Sequence, residues 1–398
     1  MKSDMQSMVS VSDAVKLIRD QITPLEPRKV ILAEANETFL AEDIIAPYNI
    51  PAFPQSGMDG YAINFDSIGK PIQMSGEMAA GSNAQIQVSV GEAVRIFTGA
   101  AVPSGADTVV IQEKTKRLGN ELIIEDENLQ RGQNIRAIGS EITAGTLALP
   151  KGAKLHAASI GFLASIGVHE LSVYPKPRVS IIVTGNELQN PGIPLEYGQV
   201  YEANSFALTA ALDRLGIKQI RKHYCPDNPD QLESILHQEL ESSDLILLTG
   251  GVSVGDYDFT AQAFETCNVK KIFHKIKQKP GKPILFGMSG NKPVFGLPGN
   301  PASVLTCFYE YVYHALNIMM KDAPEIIKTQ AIINEIYKKP SGITHFLKAF
   351  YEEGKVTLLS GQESYKLNSF ARANALAVIP EELTEVKPGS TIEVHILP

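Results

Sequence analysis

The chain has 398 residues, 44% of them hydrophobic and 20% charged, which is enough for two to four globular domains with a sizeable core. Its net charge of −8, without any basic run, excludes nucleic-acid binding as the main role. The apolar runs are no longer than strands, and the N-terminal stretch MKSDMQSMVS lacks the apolar core of a secretory signal, so we expect no membrane contact and a cytoplasmic protein.

The first part of the chain predicts one helix followed by a β-rich region. Ser10 and Asp13 form a capping box, and apolar residues at helical spacing predict a helix over 10–22. From Val30 to about Gly145, short apolar runs alternate with glycines and prolines, as in short strands joined by long loops. A short apolar helix is predicted over 157–166, and a proline-rich linker over 174–178.

From residue 179 to about 323 the pattern alternates between strand and helix, as in an α/β sandwich of about 150 residues. The predicted strands are 178–183, 217–224, 245–248 and 294–297. The predicted helices are 205–215 with Asn204 as cap, the helix from Asn228 and Pro229 to 240, and 302–320. After Pro324 a small β-barrel or sandwich is predicted, with strands at 329–336, 344–351, 355–360, 375–379 and 391–396.

Three of these strands lead into unusual loops. The strand over 178–183 precedes TGNE at 184–187, and the strand over 294–297 precedes PGNP at 298–301. The strand over 245–248 leads into a loop that contains Gly250, Gly251, Ser253, Gly255, Asp256 and Asp258. Because loops after parallel strands lie at one edge of a sheet, we expect all three loops to face a single crevice.

The composition of these loops favours anion binding. Glycines let backbone N–H groups close on an anion, and Asn300 with Pro301 starts a helix whose free N–H groups favour negative charge. The carboxylates of Asp256 and Asp258 indicate a hard cation beside that anion. For the glycine loop taken alone, a tight turn in an ordinary α/β domain is the alternative.

A lysine-rich segment, HKIKQKPGKP at 274–283, precedes the last of these strands. It carries Lys275, Lys277, Lys279 and Lys282 in an acidic protein. Alternating lysines are typical of an exposed strand face. The PGKP turn beside the anion crevice favours phosphate binding instead, in which a lysine acts as a point charge.

Three loops of the β-rich region could also be functional. PAFPQSGMDGYA at 51–62 carries Asp59, FTGAAVPSGADT at 97–108 carries Thr98, and QNIRAIGSE at 133–141 carries Arg136 and Glu141. The alternative for each is a solvated turn or surface charge. Cys225, Cys267 and Cys307 and the eight histidines show no metal-ligand spacing, so we expect free thiols in a reducing compartment and no zinc site.

Together these loops resemble one family. The chain carries, in order, PAFPQSGMDGYA, FTGAAVPSGADTVV, GQNIRAIGSE, TGNEL, TGGVSVGDYDF, KPGKP and GLPGNPAS. Their order and spacing are those of the molybdopterin molybdenumtransferases, which comprise the bacterial MoeA proteins and the E domain of gephyrin. The resemblance covers nearly the whole chain, and SYKLNSFARANAL resembles the family's late serine- and alanine-rich stretch.

The resemblance implies a multidomain α/β plus β fold. It comprises a three-layer α/β sandwich of the molybdopterin-binding type, a β-rich inserted domain, a small helical and β connecting domain, and a C-terminal β-barrel. The implied boundaries are 1–45 plus 147–176 for the connecting domain, 46–146 for the inserted domain, 177–325 for the α/β domain and 326–398 for the barrel. It also implies a homodimer whose active site is shared between subunits.

The implied reaction inserts molybdate into adenylylated molybdopterin, giving molybdenum cofactor and AMP with the help of Mg²⁺. Transient contacts with molybdopterin adenylyltransferase and with molybdoenzyme-loading proteins would follow. Two alternatives stay open. One is the adenylyltransferase activity itself, although that enzyme resembles the α/β domain alone. The other is a non-catalytic scaffold like gephyrin, although this chain lacks gephyrin's extra domain and long linker.

The resemblance also implies the site residues, position by position. The implied catalytic residues are Asp59, Glu187, Asp227 and Asp258, of which Asp59, Glu187 and Asp258 would bind the metal. The implied substrate-binding residues are Thr98, Arg136, Gly250, Gly251, Ser253, Lys275, Lys279, Pro298, Pro301 and Ser369. Two positions depart from the family, which often has aspartate where this chain has Glu141 and Asn186.

Overall fold

The computed structural model describes residues 8–251, 259–321 and 326–398. The chain divides into two compact units. The larger unit comprises the described residues of 8–28, 37–39 and 173–398, and the smaller unit comprises 29–36 and 40–172. This division into two does not resolve four domains, so the domain boundaries given above stay a prediction.

Helix α1 (Val11–Gln21) belongs to the larger unit. The Ser10 hydroxyl accepts the N–H of Asp13 at 3.1 Å and donates to the Asp13 carboxylate at 2.8 Å. This bond satisfies one of the N–H groups that the first turn leaves free, as the predicted cap requires. Ala14 and Ile18 are fully buried in the core, so the predicted apolar face is confirmed.

The smaller unit is β-rich, as predicted. Its strands are β1 (Arg28–Ile31), β2 (Phe39–Leu40), β3 (Ile44–Ile45), β4 (Gln55–Ser56), β5 (Gly60–Ile63), β6 (Ile72–Met78), β7 (Glu92–Ile96), β8 (Thr108–Ile111), β9 (Thr115–Leu118), β10 (Glu121–Ile124), β11 (Ile135–Arg136), β12 (Leu147–Leu149) and β13 (Glu170–Tyr174). Single 3₁₀ turns lie at Leu32–Glu34, Phe65–Ser67 and Gln112–Lys114, and helix α2 spans Ala157–Ser165. Strands β1, β13 and β2 form a three-stranded sheet in that order.

A six-stranded sheet in the order β8-β5-β7-β6-β10-β9 is the main element of the smaller unit. Strands β6 and β7 pair in parallel and the other neighbours pair antiparallel. Successive residues of a strand point to opposite faces, so Val109 packs into one apolar cluster and Val110 into another. Both faces of the sheet are therefore packed at β8.

The larger unit contains the α/β sandwich and the C-terminal barrel. Its strands are β14 (Val179–Thr184), β15 (Leu188–Gln189), β16 (Val200–Tyr201), β17 (Ile220–Cys225), β18 (Leu245–Thr249), β19 (Lys270–His274), β20 (Gln278–Lys279), β21 (Leu285–Ser289), β22 (Lys292–Leu297), β23 (Lys328–Ile333), β24 (Tyr337–Lys338), β25 (Thr344–Glu352), β26 (Lys355–Leu358), β27 (Ala375–Ile379), β28 (Glu385–Val386) and β29 (Ser390–Ile396). Its further helices are α3 (Asn204–Arg214), α4 (Pro229–Ser242), α5 (Phe259–Thr266), α6 (Pro301–Cys307), α7 (Tyr313–Met320) and α8 (Leu367–Phe370).

The central sheet of the sandwich has the order β17-β14-β18-β22-β21-β19. The first four strands are parallel, whereas β21 and β19 run antiparallel to their neighbours. Leu245 and Leu247 of β18 pack into the core formed with α1, α3, α6 and α7, and Ile246 and Leu248 pack against α4 and α5. Burial on both faces requires the unbroken apolar run of this strand. The predicted three-layer sandwich is confirmed.

The predicted helix over 302–320 is interrupted by a π-helical turn at Phe308–Val312, which separates α6 from α7. Pro301 is the first helical residue, as predicted, since its missing N–H would be free at that position anyway. Asn300 occupies the cap position but its side chain makes no capping hydrogen bond. None of the helices in the described ranges has both the length and the apolar character that crossing a bilayer requires.

The C-terminal strands form the predicted barrel. Strands β25, β26, β23, β29 and β27 pair in that order, and β27 pairs again with β25 to close the ring. Strand β20, from the lysine-rich segment, joins β25 in parallel and aligns Lys279 with His345. This segment therefore belongs to the barrel sheet as well as to the crevice side of the sandwich.

Two local predictions were wrong or incomplete. Asn204 does not cap α3, because it is already helical, and the Glu202 carboxylate instead accepts the Ser205 N–H and the Ser205 hydroxyl, each at 2.7 Å. A buried carboxylate upstream thus takes the place of the expected amide. Helix α5 and strand β19 were also not predicted. By contrast Asn228 caps α4 as predicted, accepting the Gln231 N–H at 3.0 Å.

A buried ion pair joins the barrel to the sandwich. Nδ1 of His395 on β29 lies 2.9 Å from the Glu310 carboxylate in the π-helical turn, and its Nε2 lies 2.8 Å from Oε1 of Glu393. Burial alone disfavours the charged ring, but the hydrogen bond and charge of Glu310 outweigh it and raise the pKa of His395. The fold therefore favours the imidazolium form.

We predict that His395→Ala lowers the free energy of unfolding by about 3 kcal/mol near pH 6, because Glu310 then stays buried without its partner. The folded pKa of His395 lies above its ordinary value of 6.5. The ionic contribution is therefore fully present below that value and is lost as the pH rises through the folded pKa. Denaturant titrations from about pH 5 to about pH 9 measure the difference. His237→Ala, on the exposed side of α4, is the control, and a pH-independent loss would contradict the prediction.

Candidate active site

The loops predicted to share a crevice lie at one edge of the central sheet. Parallel pairing aligns Val183 of β14 with Thr249 of β18, and Thr249 with Leu297 of β22. The chain leaves all three strands in the same direction, into residues 185–187, 250–251 and 298–301. The fold thus brings together three segments that are far apart in sequence.

These loops surround a cavity of about 630 Å³. Five residues predicted for the site line it: Glu187, Asp227, Gly250, Gly251 and Pro301. Further lining residues that the sequence did not indicate are Glu202, Asn204, Phe259 and Tyr365. A volume of this size is in the range of small-molecule sites.

The glycines after β18 are required by a close approach of the backbone. An ideal Cβ on Gly250 would lie 2.3 Å from the carbonyl oxygen of Thr184, and its φ of +86° is left-handed. An ideal Cβ on Gly251 would lie 3.1 Å from Oγ1 of Thr260, whose hydroxyl donates to the Gly250 carbonyl at 3.3 Å. The Thr184 backbone therefore explains Gly250, and the left-handed φ of +63° beside Thr260 favours glycine at 251, so neither glycine by itself requires a ligand.

Asn186 positions Asp227 at the cavity wall. Its Oδ1 accepts the N–H of Asp227 at 3.1 Å, and its own N–H donates to Oδ2 of Asp227 at 3.4 Å. A second carboxylate at 186 could not accept that N–H without facing the charge of Asp227. Asparagine in place of the family's aspartate thus lets residue 186 hold Asp227 without placing a second negative charge beside it.

Asn204 has an unsatisfied acceptor beside the cavity. Its Nδ2 donates to the Gly299 carbonyl at 2.9 Å, which fixes the orientation of the amide. Its Oδ1 is buried and has no hydrogen-bond partner among the described residues. Buried polar atoms are rarely left unpaired, so this oxygen is suited to an N–H or O–H donor of a bound molecule.

A second cavity of about 320 Å³ adjoins the first and shares Gly299 and Asn300 with it. Its lining includes the predicted residues Lys279 and Pro298, together with Lys282 and Ser303. The predicted residue Lys275 lines neither cavity. Its backbone, at a left-handed φ of +71°, instead donates to the Ile284 carbonyl at 2.9 Å.

The segment 361–366 of the barrel also reaches this crevice. Tyr365 lines the first cavity, and Gln362 and Ser364 line the second. Ser369, predicted to bind substrate, is fully buried, and its hydroxyl donates to the Gly361 carbonyl at 2.7 Å. Its substrate-binding role stays a prediction, whereas its contact with this segment is observed.

The predicted site residues of the smaller unit form two groups. Oδ1 of Asp59 accepts the hydroxyl of Thr98 at 2.7 Å and its N–H at 2.8 Å, and these bonds, the hydroxyl first, lower the pKa of Asp59. Arg136 lines a separate cavity of about 540 Å³ with Glu141. Asp59 is exposed and ionised, as a cation ligand must be.

Ser253 and Asp258, predicted as a substrate and a metal residue, lie outside the described residues, as does Asp256. Within residues 8–251, 259–321 and 326–398, no three His, Cys, Asp or Glu side chains are grouped closely enough to hold a metal ion. The carboxylates of Glu187 and Asp227 nevertheless line one cavity. Two oxygen donors fit a metal that completes its shell with water and a substrate phosphate.

Comparison with known proteins shows which family of folds this arrangement belongs to. Residues 9–167 match the MoeA N-terminal region (domains I and II), residues 180–318 match a probable molybdopterin-binding domain, and residues 330–397 match the MoeA C-terminal region (domain IV). The crystal structure of a molybdopterin biosynthesis MoeA protein from Pyrococcus horikosii superposes with a TM-score of 0.81 at 28% identity, covering 98% of this chain and 99% of that one. The fold is therefore that of the MoeA proteins.

Curated relatives define the family. The molybdopterin molybdenumtransferase of Haemophilus influenzae is 34% identical over 401 residues, covering 98% of each chain. That of Staphylococcus epidermidis is 32% identical over 408 residues, covering 99% of this chain and 97% of the relative. The chain belongs to the molybdopterin molybdenumtransferase family, as its loop motifs predicted.

We predict that Gly250→Ala costs about 3 kcal/mol or more of unfolding free energy, since the new methyl meets the Thr184 carbonyl and the left-handed φ is strained. Gly354→Ala is the matched control, because φ is +78° there and no atom lies within 4 Å of the added carbon. It should lose only about 1 kcal/mol, the cost of the backbone conformation. Equal losses in denaturant unfolding would show that the close approach is not what requires Gly250.

Proposed function

We propose that this protein inserts molybdate into adenylylated molybdopterin, which gives molybdenum cofactor and releases AMP. The observation that carries the proposal is the adjoining pair of cavities at the sheet edge. Glu187 and Asp227 line the first cavity, and Lys279 and Lys282 line the second. Membership of the molybdopterin molybdenumtransferase family supports the same reaction and makes the chain a transferase.

The two cavities suit two anions held side by side. Molybdate and the phosphoanhydride of the pterin substrate are both negatively charged. The ammonium groups of Lys279 and Lys282 attract such anions as point charges. Backbone N–H groups of the glycine loop supply hydrogen bonds in the same crevice. The unpartnered Oδ1 of Asn204 suits a donor of the pterin or the nucleotide.

Mg²⁺ is the proposed cation. It prefers oxygen ligands, keeps several waters and is usually bound by one or two carboxylates together with substrate phosphates. Glu187 is the proposed ligand in the described part of the crevice, with Asp258 and Asp59 completing the set. When bound, the ion would neutralise charge on the phosphoanhydride. Asp227, held by Asn186, lies on the same cavity wall and is proposed as a catalytic carboxylate.

The adenylyltransferase alternative is not favoured. The relatives that match 98% of this chain are named for the molybdenum transfer. The smaller unit and the barrel match MoeA regions as well, so the resemblance is not confined to the molybdopterin-binding domain. We place the reaction in the cytoplasm, which agrees with three buried, free cysteines whose thiol pKa values are raised by burial.

The proposal predicts that the protein releases AMP from adenylylated molybdopterin only when molybdate is added. Glu187→Gln and Asp227→Asn should each lower the turnover by about 10² or more, the scale of one aligned catalytic group. Chromatographic measurement of AMP over time gives the rates. Glu196→Gln, at an exposed position of the same domain, is the control and should keep full activity. AMP release that is independent of molybdate would contradict insertion.

We further propose a homodimer in which each active site draws on both subunits. Asp59 belongs to the smaller unit and the crevice to the larger one. The family resemblance supports contribution of Asp59 across a two-fold interface. Transient contacts with molybdopterin adenylyltransferase and with molybdoenzyme-loading proteins are proposed for delivery of substrate and release of product.

Mixed dimers test this arrangement. Asp59→Ala and Asp258→Ala are each expected to be inactive as homodimers. When the two variants carry different affinity tags and are co-expressed, the purified mixed dimer has one site with both lesions and one with none. It should recover up to about half of wild-type AMP release by this symmetry count. Mixed dimers that form normally but stay inactive would contradict a shared site.

A further inference from the structure

One short segment of the barrel, residues 361–366, borders three neighbouring cavities of the larger unit. Tyr365 lines the cavity of about 630 Å³, and Gln362 and Ser364 line that of about 320 Å³. Gly361, Gln362 and Glu363 line a third cavity, of about 330 Å³, which also includes Lys279. We refer to residues 361–366 as the crevice segment. The segment therefore forms part of the wall of each of these three cavities.

The crevice segment is held by a buried ammonium group. Nζ of Lys348 on β25 donates to the carbonyls of Gly361 at 2.6 Å, Lys366 at 3.0 Å and Glu363 at 3.1 Å. An ammonium carries three N–H donors, and all three are used by this segment. The residue is 3% exposed, so these bonds replace the water that the charge gives up.

The backbone of Lys348 supports the same segment. Its N–H donates to Oε1 of Gln362 at 3.0 Å, and Nε2 of Gln362 donates back to the Lys348 carbonyl at 2.8 Å. Ser369 adds a hydrogen bond to the Gly361 carbonyl at 2.7 Å. Lys348 is therefore hydrogen-bonded to the segment through both its side chain and its main chain.

The crevice segment in turn contacts the start of α6. The Ala302 N–H in the first turn of α6 donates to the Ser364 carbonyl at 3.0 Å, and Nδ2 of Asn300 donates to the Ser364 hydroxyl at 2.9 Å. Lys348 is thus bonded to residues on both sides of Ser364, and Ser364 is bonded to the loop that both main cavities share.

We propose that Lys348 is a positioning residue, which sets the crevice segment against the start of α6 and so forms the substrate-binding crevice. It acts through Ser364 and Tyr365 and does not itself touch the substrate, since its three N–H donors are already bonded to carbonyls. The inference rests on the proposed function for the identity of the substrate, but the placement of the segment is independent of it.

Lys348→Met tests the proposal, because methionine keeps the apolar stem and removes the three donors. We expect KM for adenylylated molybdopterin to rise about tenfold or more while kcat changes less than about threefold, as a loss of binding geometry requires. In the intact chain, hydrogen exchange of the Ala302 amide and of residues 361–366 should become about tenfold faster or more. Lys338→Met is the matched control, since Lys338 is exposed and pairs with Glu385 on β28.

A double-mutant cycle separates positioning from general stability. Ser364→Ala removes the hydroxyl that accepts the Asn300 amide. In that background, the rise in KM caused by Lys348→Met should therefore be smaller than in the wild type. If the two changes in KM, expressed as free energies, simply add in the double variant, Lys348 does not act through Ser364. If Lys348→Met does not fold, Gln362→Leu, which leaves the ammonium in place, should raise KM and exchange in the same direction.

Unchanged KM and unchanged exchange in Lys348→Met would overturn the inference. A fall in kcat alone, with normal exchange, would also overturn it, because the ammonium would then act on the reacting groups. Failure of the proposed function has a different signature. The wild type would show no molybdate-dependent AMP release, while Lys348→Met would still exchange faster at Ala302.

Discussion

The crevice depends on the parallel alignment of β14, β18 and β22. Their shared direction sends three loops to one edge, and the register places Thr249 between Val183 and Leu297. Two helices, α3 and α6, also begin at this edge. Their first turns are fixed there, because the Ser205 N–H is bonded to the Glu202 carboxylate and the Ala302 N–H to the Ser364 carbonyl. Gly250 is the point at which this alignment is tightest, because the Thr184 carbonyl occupies the place of a side chain.

Buried charges in the larger unit each fix one piece of irregular backbone. Glu202 holds the first turn of α3, Lys348 holds the crevice segment, and Glu310 with His395 ties the π-helical turn to the barrel. Such groups stabilise little when compared with apolar replacements, but removing one partner is costly. Their effect is to select one arrangement of loops around the crevice among those that the apolar core would tolerate.

Much of this arrangement could be predicted from the sequence. Unbroken apolar runs identified β14, β18 and β22, and the loops after them gave Glu187, Gly250, Gly251 and Pro301 at one cavity. These predictions succeeded because the direction of a parallel strand determines the sheet edge at which its loop lies, and local composition identifies both strand and loop. The interruption of the helix after Cys307 could not be predicted, since a π turn has no distinct local pattern.

The residues that the sequence did not reveal act through distant partners. Glu202 replaced Asn204 as the cap because the carboxylate is buried, and burial is set by the surrounding layers. Lys348 resembles any lysine of an amphipathic strand until the segment 361–366 folds over it. Ser253 and Asp258 lie outside the described residues, so their placement stays a prediction, as do the catalytic, metal-binding and substrate-binding roles of all the predicted site residues.

The pairing of β20 with β25 limits how this architecture can be recombined. Lys279 lies in a segment between sandwich strands, yet its backbone is aligned with His345 in the sheet of the barrel. A sandwich transferred to another protein without its barrel would keep the glycine loops but leave that lysine without a strand to hold it. Gene fusion or domain exchange that separated the two pieces would therefore keep the first cavity's glycine loops and lose the strand pairing that places Lys279 at the second cavity.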